Sequence, residues 1–140
     1  MHALQRLVDR THSPAGGRWR LVGTDLLVIS LLLVAGELRH DVNPVTEPLA
    51  VVETAVPFLF GWFVVATLVG AYSDRALGNR VWSVRLAVGG WFGAVAIGAI
   101  LRGSPYFAGG IPWTFLAVMA AFGTVTLAVA RTAFVTFLAD

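Results

Sequence analysis

The 140-residue chain contains no cysteine and no lysine. Without cysteine there is no disulfide, no thiolate nucleophile, no iron–sulfur cluster and no Cys-bound zinc. Without lysine, every basic side chain is Arg. The replacement is chain-wide, which points to GC-rich codon usage and not to the demand of one site. Histidine is also sparse: His2 and His12 fall in the polar N-terminal stretch, leaving only His40 in the remainder. A bis-His haem inside the apolar spans is therefore unavailable, and no cofactor and no metal are expected.

Charge is the next shortage. Charged residues make up 13% of the chain, against about 25% in an ordinary soluble domain. Hydrophobic residues reach 57%, and the mean hydropathy is +0.78. A chain this short and this apolar cannot cover itself with polar groups in water, so it needs lipid as solvent. The net charge of +2 does not indicate nucleic-acid binding, because the Arg residues flank apolar runs and form no stripe.

What is present reads as an all-α, four-helix transmembrane bundle, multi-pass in the cell membrane. An Arg-rich polar tail over residues 1–20 precedes a membrane domain over 21–140, with helices at about 21–38, 55–72, 82–101 and 112–131. The first apolar run is too long for a signal-peptide core and ends in Glu-Leu-Arg-His instead of a small-residue cleavage site, so it reads as a retained helix. Eighteen residues at about 1.5 Å each give roughly 27 Å, enough for a bilayer core. Ser13-Pro14-Ala15-Gly16-Gly17 reads as a break before helix one, and Pro57 as a residue near the first turn of helix two. The tail after Arg131 stays apolar, so helix four can run on.

Arg distribution gives an orientation. Arg6, Arg10, Arg18, Arg20, Arg75, Arg80, Arg85 and Arg131 lie on one side, and only Arg39 and Arg102 on the other. The positive-inside rule then predicts cytoplasmic N and C termini, with Trp19, Tyr72 and Trp82 at the inner interface and Tyr106 and Trp113 at the outer one.

Charges inside a span cost about 2.5–3.5 kcal/mol each on insertion scales, so each calls for a reason. They fall into two layers. The inner layer is Asp25, Arg85 and Arg131, read as an ion pair of Asp25 with Arg85 or with Arg131 that ties helices, or as part of a proton or ion relay. The outer layer is Glu37, Arg39, His40, Glu53 and Arg102, with Asp41 beside them. If helix one continues, Glu37, His40 and Asp41 share a face, and Glu37–Arg102 is the most economical pairing. This cluster reads as a structural clamp, as the mouth of an ion or solute path, as an acid–base site with His40 as proton carrier, or as a carboxylate–His metal site.

Packing is signalled most clearly in helix three. Gly89-x-x-x-Gly93 and, one position on, Gly90-x-x-x-Ala94-x-x-x-Gly98 put small residues on one face, where helix backbones approach closely in lipid. Internal packing is the simpler use of that face, and a dimer contact the alternative.

Several of these pieces together resemble the small integral membrane family catalogued as domain of unknown function 3054. They are Asp25; Gly36-Glu37-Leu38-Arg39-His40; Thr54-Ala55-Val56-Pro57-Phe58-Leu59 with Gly61-Trp62; Leu101-Arg102; Phe115; and Arg131. The family ends helix four with Trp-Arg, whereas here Ala130 precedes Arg131. The resemblance implies four membrane helices and assigns no activity. The functional expectations are a small, oligomeric transporter or channel-like protein; a non-catalytic membrane subunit or assembly factor; or an intramembrane enzyme acting on a lipid. The expected partners are membrane lipid and either further copies of the chain or a membrane partner subunit, with no nucleic acid.

Overall fold

The computed structural model describes residues 14–106 and 112–138. Within them the chain forms α1 (Pro14–Arg39), α2 (Pro48–Val69), a short α3 (Asp74–Gly78), α4 (Arg80–Arg102) and α5 (Trp113–Ala133). A π-helical turn over Phe134–Leu138 extends α5. No strand occurs among the described residues. Helices α1, α2, α4 and α5 are each long and apolar enough to cross a membrane. Most of the His-containing tail, residues 1–13, and the Gly109-Gly110 turn lie outside the described residues.

Two helix starts differ from the sequence expectation. α1 begins at Pro14 and runs through Gly16-Gly17, so the predicted break is the first turn of the helix. Proline is tolerated there because its missing N–H would be unpaired anyway. α2 begins at Pro48, with Pro at its first turn, which makes Pro57 an interior and buried residue. An interior Pro removes one backbone hydrogen bond, and membrane helices accept this where neighbouring helices cover the site.

Two helix ends share one device. In α2, Gly70 takes the left-handed conformation (φ 75°, ψ 38°), and the Ala71 N–H donates to the Ala66 carbonyl at 2.9 Å. In α1, Asp41 takes the left-handed conformation (φ 62°), and the Val42 N–H donates to the Glu37 carbonyl at 3.0 Å. Both are Schellman turns, which satisfy carbonyls the helix would leave bare. α2 therefore stops three residues before Tyr72, where the apolar pattern suggested it would continue.

The helices alternate in direction and close a ring in which α2 packs most extensively on α4, α4 on α5, and α1 on both α5 and α2. The α2–α4 contact is the most extensive, and glycines make it close. A Cβ on Gly61 would stand 2.7 Å from the Ala94 carbonyl oxygen, and one on Gly98 would stand 2.6 Å from the Phe58 ring. Gly90 meets Trp62 and Gly93 meets Val65. The small-residue face of α4 is thus spent inside the bundle. Gly89 is the exception: nothing lies within 4 Å of a Cβ added there, so it is not part of that face. The core between the ends is Ile29 and Leu33, Phe58 and Trp62, Trp91 and Ala94, with Met119 and Leu127, all buried.

Candidate functional site

On α1 the buried positions are Leu21, Asp25, Ile29, Leu33 and Glu37. They recur every four residues, the spacing of one helix face. On α5 the same spacing gives Met119, Gly123, Leu127 and Arg131. The two stripes face each other with opposite directions. Asp25 and Arg131 consequently meet, although they stand 106 residues apart.

Their contact is a forked ion pair. Arg131 Nε donates to Asp25 Oδ1 at 3.1 Å, and Nη2 donates to Oδ2 at 2.6 Å. Both side chains are 0% exposed. The planar guanidinium matches the two carboxylate oxygens in a way an ammonium would not. Nη1 is used as well, donating to the Ala71 carbonyl at 2.8 Å and to Ser83 Oγ at 3.2 Å. The Gly70 turn has a further effect here: by ending α2 at that point it frees the Ala71 carbonyl to accept from Arg131. The Arg131 guanidinium also sits 5.3 Å from the centre of the Tyr72 ring, and the Tyr72 hydroxyl accepts from Trp62 Nε1 at 2.9 Å. One network thereby joins α1, α2, α4 and α5.

Arg85 takes no part in it. Its guanidinium lies 5.7 Å from the centre of the Trp82 ring, with that of Arg75 at 4.7 Å. Of the two partners considered for Asp25, the structure selects Arg131. Ser83, the Ala71 carbonyl, Tyr72 and Trp62 were not singled out as members from the sequence. The Gly70-Ala71 pair after an apolar run was the available signal. Outside the buried network, Arg18 pairs with Asp74 at 2.8 Å and donates through Nε to the Tyr72 carbonyl at 2.8 Å, which ties α1 to the α2–α3 turn.

The outer cluster does not assemble as expected. α1 ends at Arg39, so His40 and Asp41 leave the helix face that carries Glu37, and the three do not share it. Glu37 is 8% exposed, whereas Arg39, His40 and Asp41 are exposed. Arg102 and Glu53 are half-buried on α4 and α2. No Glu37–Arg102 ion pair forms among the described residues, whose salt bridges are Arg18–Asp74 and Arg131–Asp25. The Schellman turn at Asp41 is the physical reason that His40 and Asp41 leave the Glu37 face, because it redirects the chain directly after the helix. His40 lies near Phe115 instead, ring centres 6.1 Å apart. No buried side-chain nitrogen or oxygen lacks a hydrogen-bond partner among the described residues. No group of three His, Asp or Glu side chains there is placed to hold a metal ion.

Between these two ends the interior is filled. Asp25 and Glu37 are twelve residues apart, about 18 Å along the axis, and the buried core side chains occupy the interval. Trp91 plugs the centre: its Nε1 donates to the Met119 carbonyl at 3.0 Å. The indole fits only because residue 123 is Gly, since a Cβ there would fall 2.0 Å from Trp91 Nε1. Gly123 sets the closest approach in the bundle, followed by Gly93, Gly98 and Gly61 across α2 and α4; Gly61 and Gly123 did not stand out as packing residues in the sequence.

A protein-family model described as "Protein of unknown function (DUF3054)" matches residues 22–134. No curated protein and no solved structure matches the chain.

Proposed function

The chain belongs to this family, and from that premise we propose that it is a non-catalytic membrane subunit or assembly factor in the cell membrane, both termini cytoplasmic. One observation carries the reading: the Asp25–Arg131 network is closed. Its carboxylate is held by two N–H groups, and the remaining guanidinium contacts go to Ala71 and Ser83. A proton or ion site needs a group free to exchange its partner, and this pair is fully engaged beneath an apolar core. The functional surfaces of such a protein are its lipid-facing sides and its loops. Orientation rests on the Arg distribution.

Native mass spectrometry of the gently solubilised protein tests this together with flux assays. The expected outcome is a defined assembly, with further copies or a partner subunit, and proteoliposomes no leakier to protons than empty vesicles. Proton or ion flux that disappears in Asp25→Asn would overturn it. Because the parent has no cysteine, single cysteines introduced at Val45 and Gly78 report orientation: impermeant label should reach the first from outside only.

A second reading, a small transporter or channel-like protein, is favoured by Glu37. It is a nearly buried carboxylate with no ion-pair partner among the described residues, on the same α1 stripe as Asp25. In that case Glu37→Gln leaves the fold intact and abolishes flux.

A further inference from the structure

The Arg-rich end of the bundle bears a groove of about 530 Å³ between the start of α4 and the end of α5. Ala128, Val129, Thr132, Ala133 and Phe137 form its walls and Arg80 stands at its mouth, with Thr136 alongside. Its length has a natural measure. From Val129 to Phe137 the helix advances about 12 Å, against roughly 15 Å for half of a 30 Å hydrocarbon core. That length is somewhat less than one leaflet, and the groove runs along a helix long and apolar enough to cross a membrane.

Arg80 is the cation that lines this groove. Of the other described cations of this end, Arg131 is held by Asp25, Arg18 by Asp74, Arg75 and Arg85 lie over Trp82, and Arg20 is exposed on α1 but does not line the groove. Arg80 is exposed and directed to the groove. The Thr132 hydroxyl donates to the Ala128 carbonyl at 2.8 Å, so its own backbone already uses its proton and the wall presents little polarity to an acyl chain. The π-helical turn over Phe134–Leu138 widens the helix along the outer half of the groove.

We propose that this groove is a binding site for one anionic phospholipid, an acyl chain lying along Ala128, Val129, Ala133 and Phe137 and the phosphate ion-paired with Arg80. A guanidinium forks onto phosphate oxygens as it does onto a carboxylate. A second groove along the helices, about 240 Å³ beside Arg39 and Phe122, has less than half the volume and lies at the Glu37 end, where basic residues are few. The site requires that the chain span a bilayer. It is independent of whether the protein is a subunit or a transporter.

The test uses the full chain in nanodiscs of phosphatidylcholine and phosphatidylglycerol at four to one, followed by native mass spectrometry of retained lipid and by thermal unfolding. The parent should keep one phosphatidylglycerol per chain in preference to phosphatidylcholine. Arg80→Gln should reduce that preference about tenfold, whereas Arg85→Gln, a charge loss at the same end outside the groove, should leave it intact. Ala133→Phe, which fills the groove, should lower retention of both lipids. The unfolding temperature of each variant shows that it is folded, and Arg80→Gln at an exposed position decides the matter if Ala133→Phe does not fold. Equal retention of the two lipids by the parent overturns the proposal. Equal losses in Arg80→Gln and Arg85→Gln overturn it in favour of diffuse surface charge. A dimer that Ala133→Phe disrupts overturns it in favour of a second copy as the occupant.

Discussion

The two ends of α1 carry one buried carboxylate each, and they are treated in opposite ways. Asp25 is sealed at 0% exposure by a forked Arg and an interhelical network. Glu37 lies three turns further on the same stripe, is 8% exposed and forms no ion pair among the described residues. The difference shows what a charge in a span requires. One end supplies a partner on a facing helix, which offsets the penalty, and the other places its carboxylate in the last turn of the helix, where a charge costs less than at the centre of a span. Both helix ends that shape these sites are Schellman turns, but the Gly70 turn adds an acceptor for the network while the Asp41 turn carries His40 and Asp41 away from Glu37.

The largest expected effect is at the sealed end. Arg131→Gln leaves a buried carboxylate unpaired and should lower stability by about 3–5 kcal/mol, read as a fall in unfolding temperature in mild detergent. Adding Asp25→Asn should recover part of the loss. If the double variant shows the plain sum of the two single losses, the pairing is wrong. Next in size is the plug. Gly123→Ala should cost about 1–3 kcal/mol through displacement of the Trp91 indole, whereas Gly89→Ala, with open space around it, should be neutral or stabilising by up to about 1 kcal/mol. Equal losses at both positions would show that the glycines act through backbone flexibility and not through contact.

The smaller effects concern the open end. Asp41→Gly removes the steric cost of a side chain at positive φ and should raise stability by less than about 1 kcal/mol; a decrease would show that the carboxylate makes a contact worth more than the strain. Glu37→Gln and Arg102→Gln should each change stability by no more than about 0.5 kcal/mol, and their effects should add. A coupling energy above about 0.5 kcal/mol in that cycle would restore the clamp and erase the contrast between the two ends.

The four apolar helices were legible because lipid demands long apolar runs. The small-residue face of α4 was legible because Gly and Ala recur at helical spacing. Asp25 and Arg131 stood out as well, since a charge in an apolar run is conspicuous wherever its partner is. The partner choice was not legible: Arg85 and Arg131 both lie near the same membrane face, and only the angle at which α4 and α5 present them separates the two. Ser83 and the Ala71 carbonyl were invisible for a different reason. A hydroxyl in a helix and a backbone oxygen carry no compositional signal until the fold aims them. The Glu37–His40–Asp41 face failed because it assumed one more helical turn, and the left-handed residue that ends the turn is Asp instead of the usual Gly.

The 106-residue separation between Asp25 and Arg131 has a consequence for biogenesis. At about 5–20 residues per second, Asp25 is synthesised roughly 5–20 seconds before its partner. Throughout that interval α1 carries an unpaired carboxylate, and α5, when it arrives, brings a guanidinium that is also unfavourable alone. Neither helix is well suited to diffuse into lipid by itself. The first and last helices should therefore be held near the insertion site until they meet, and a nascent chain stopped before α5 should be captured by the membrane's quality-control proteases.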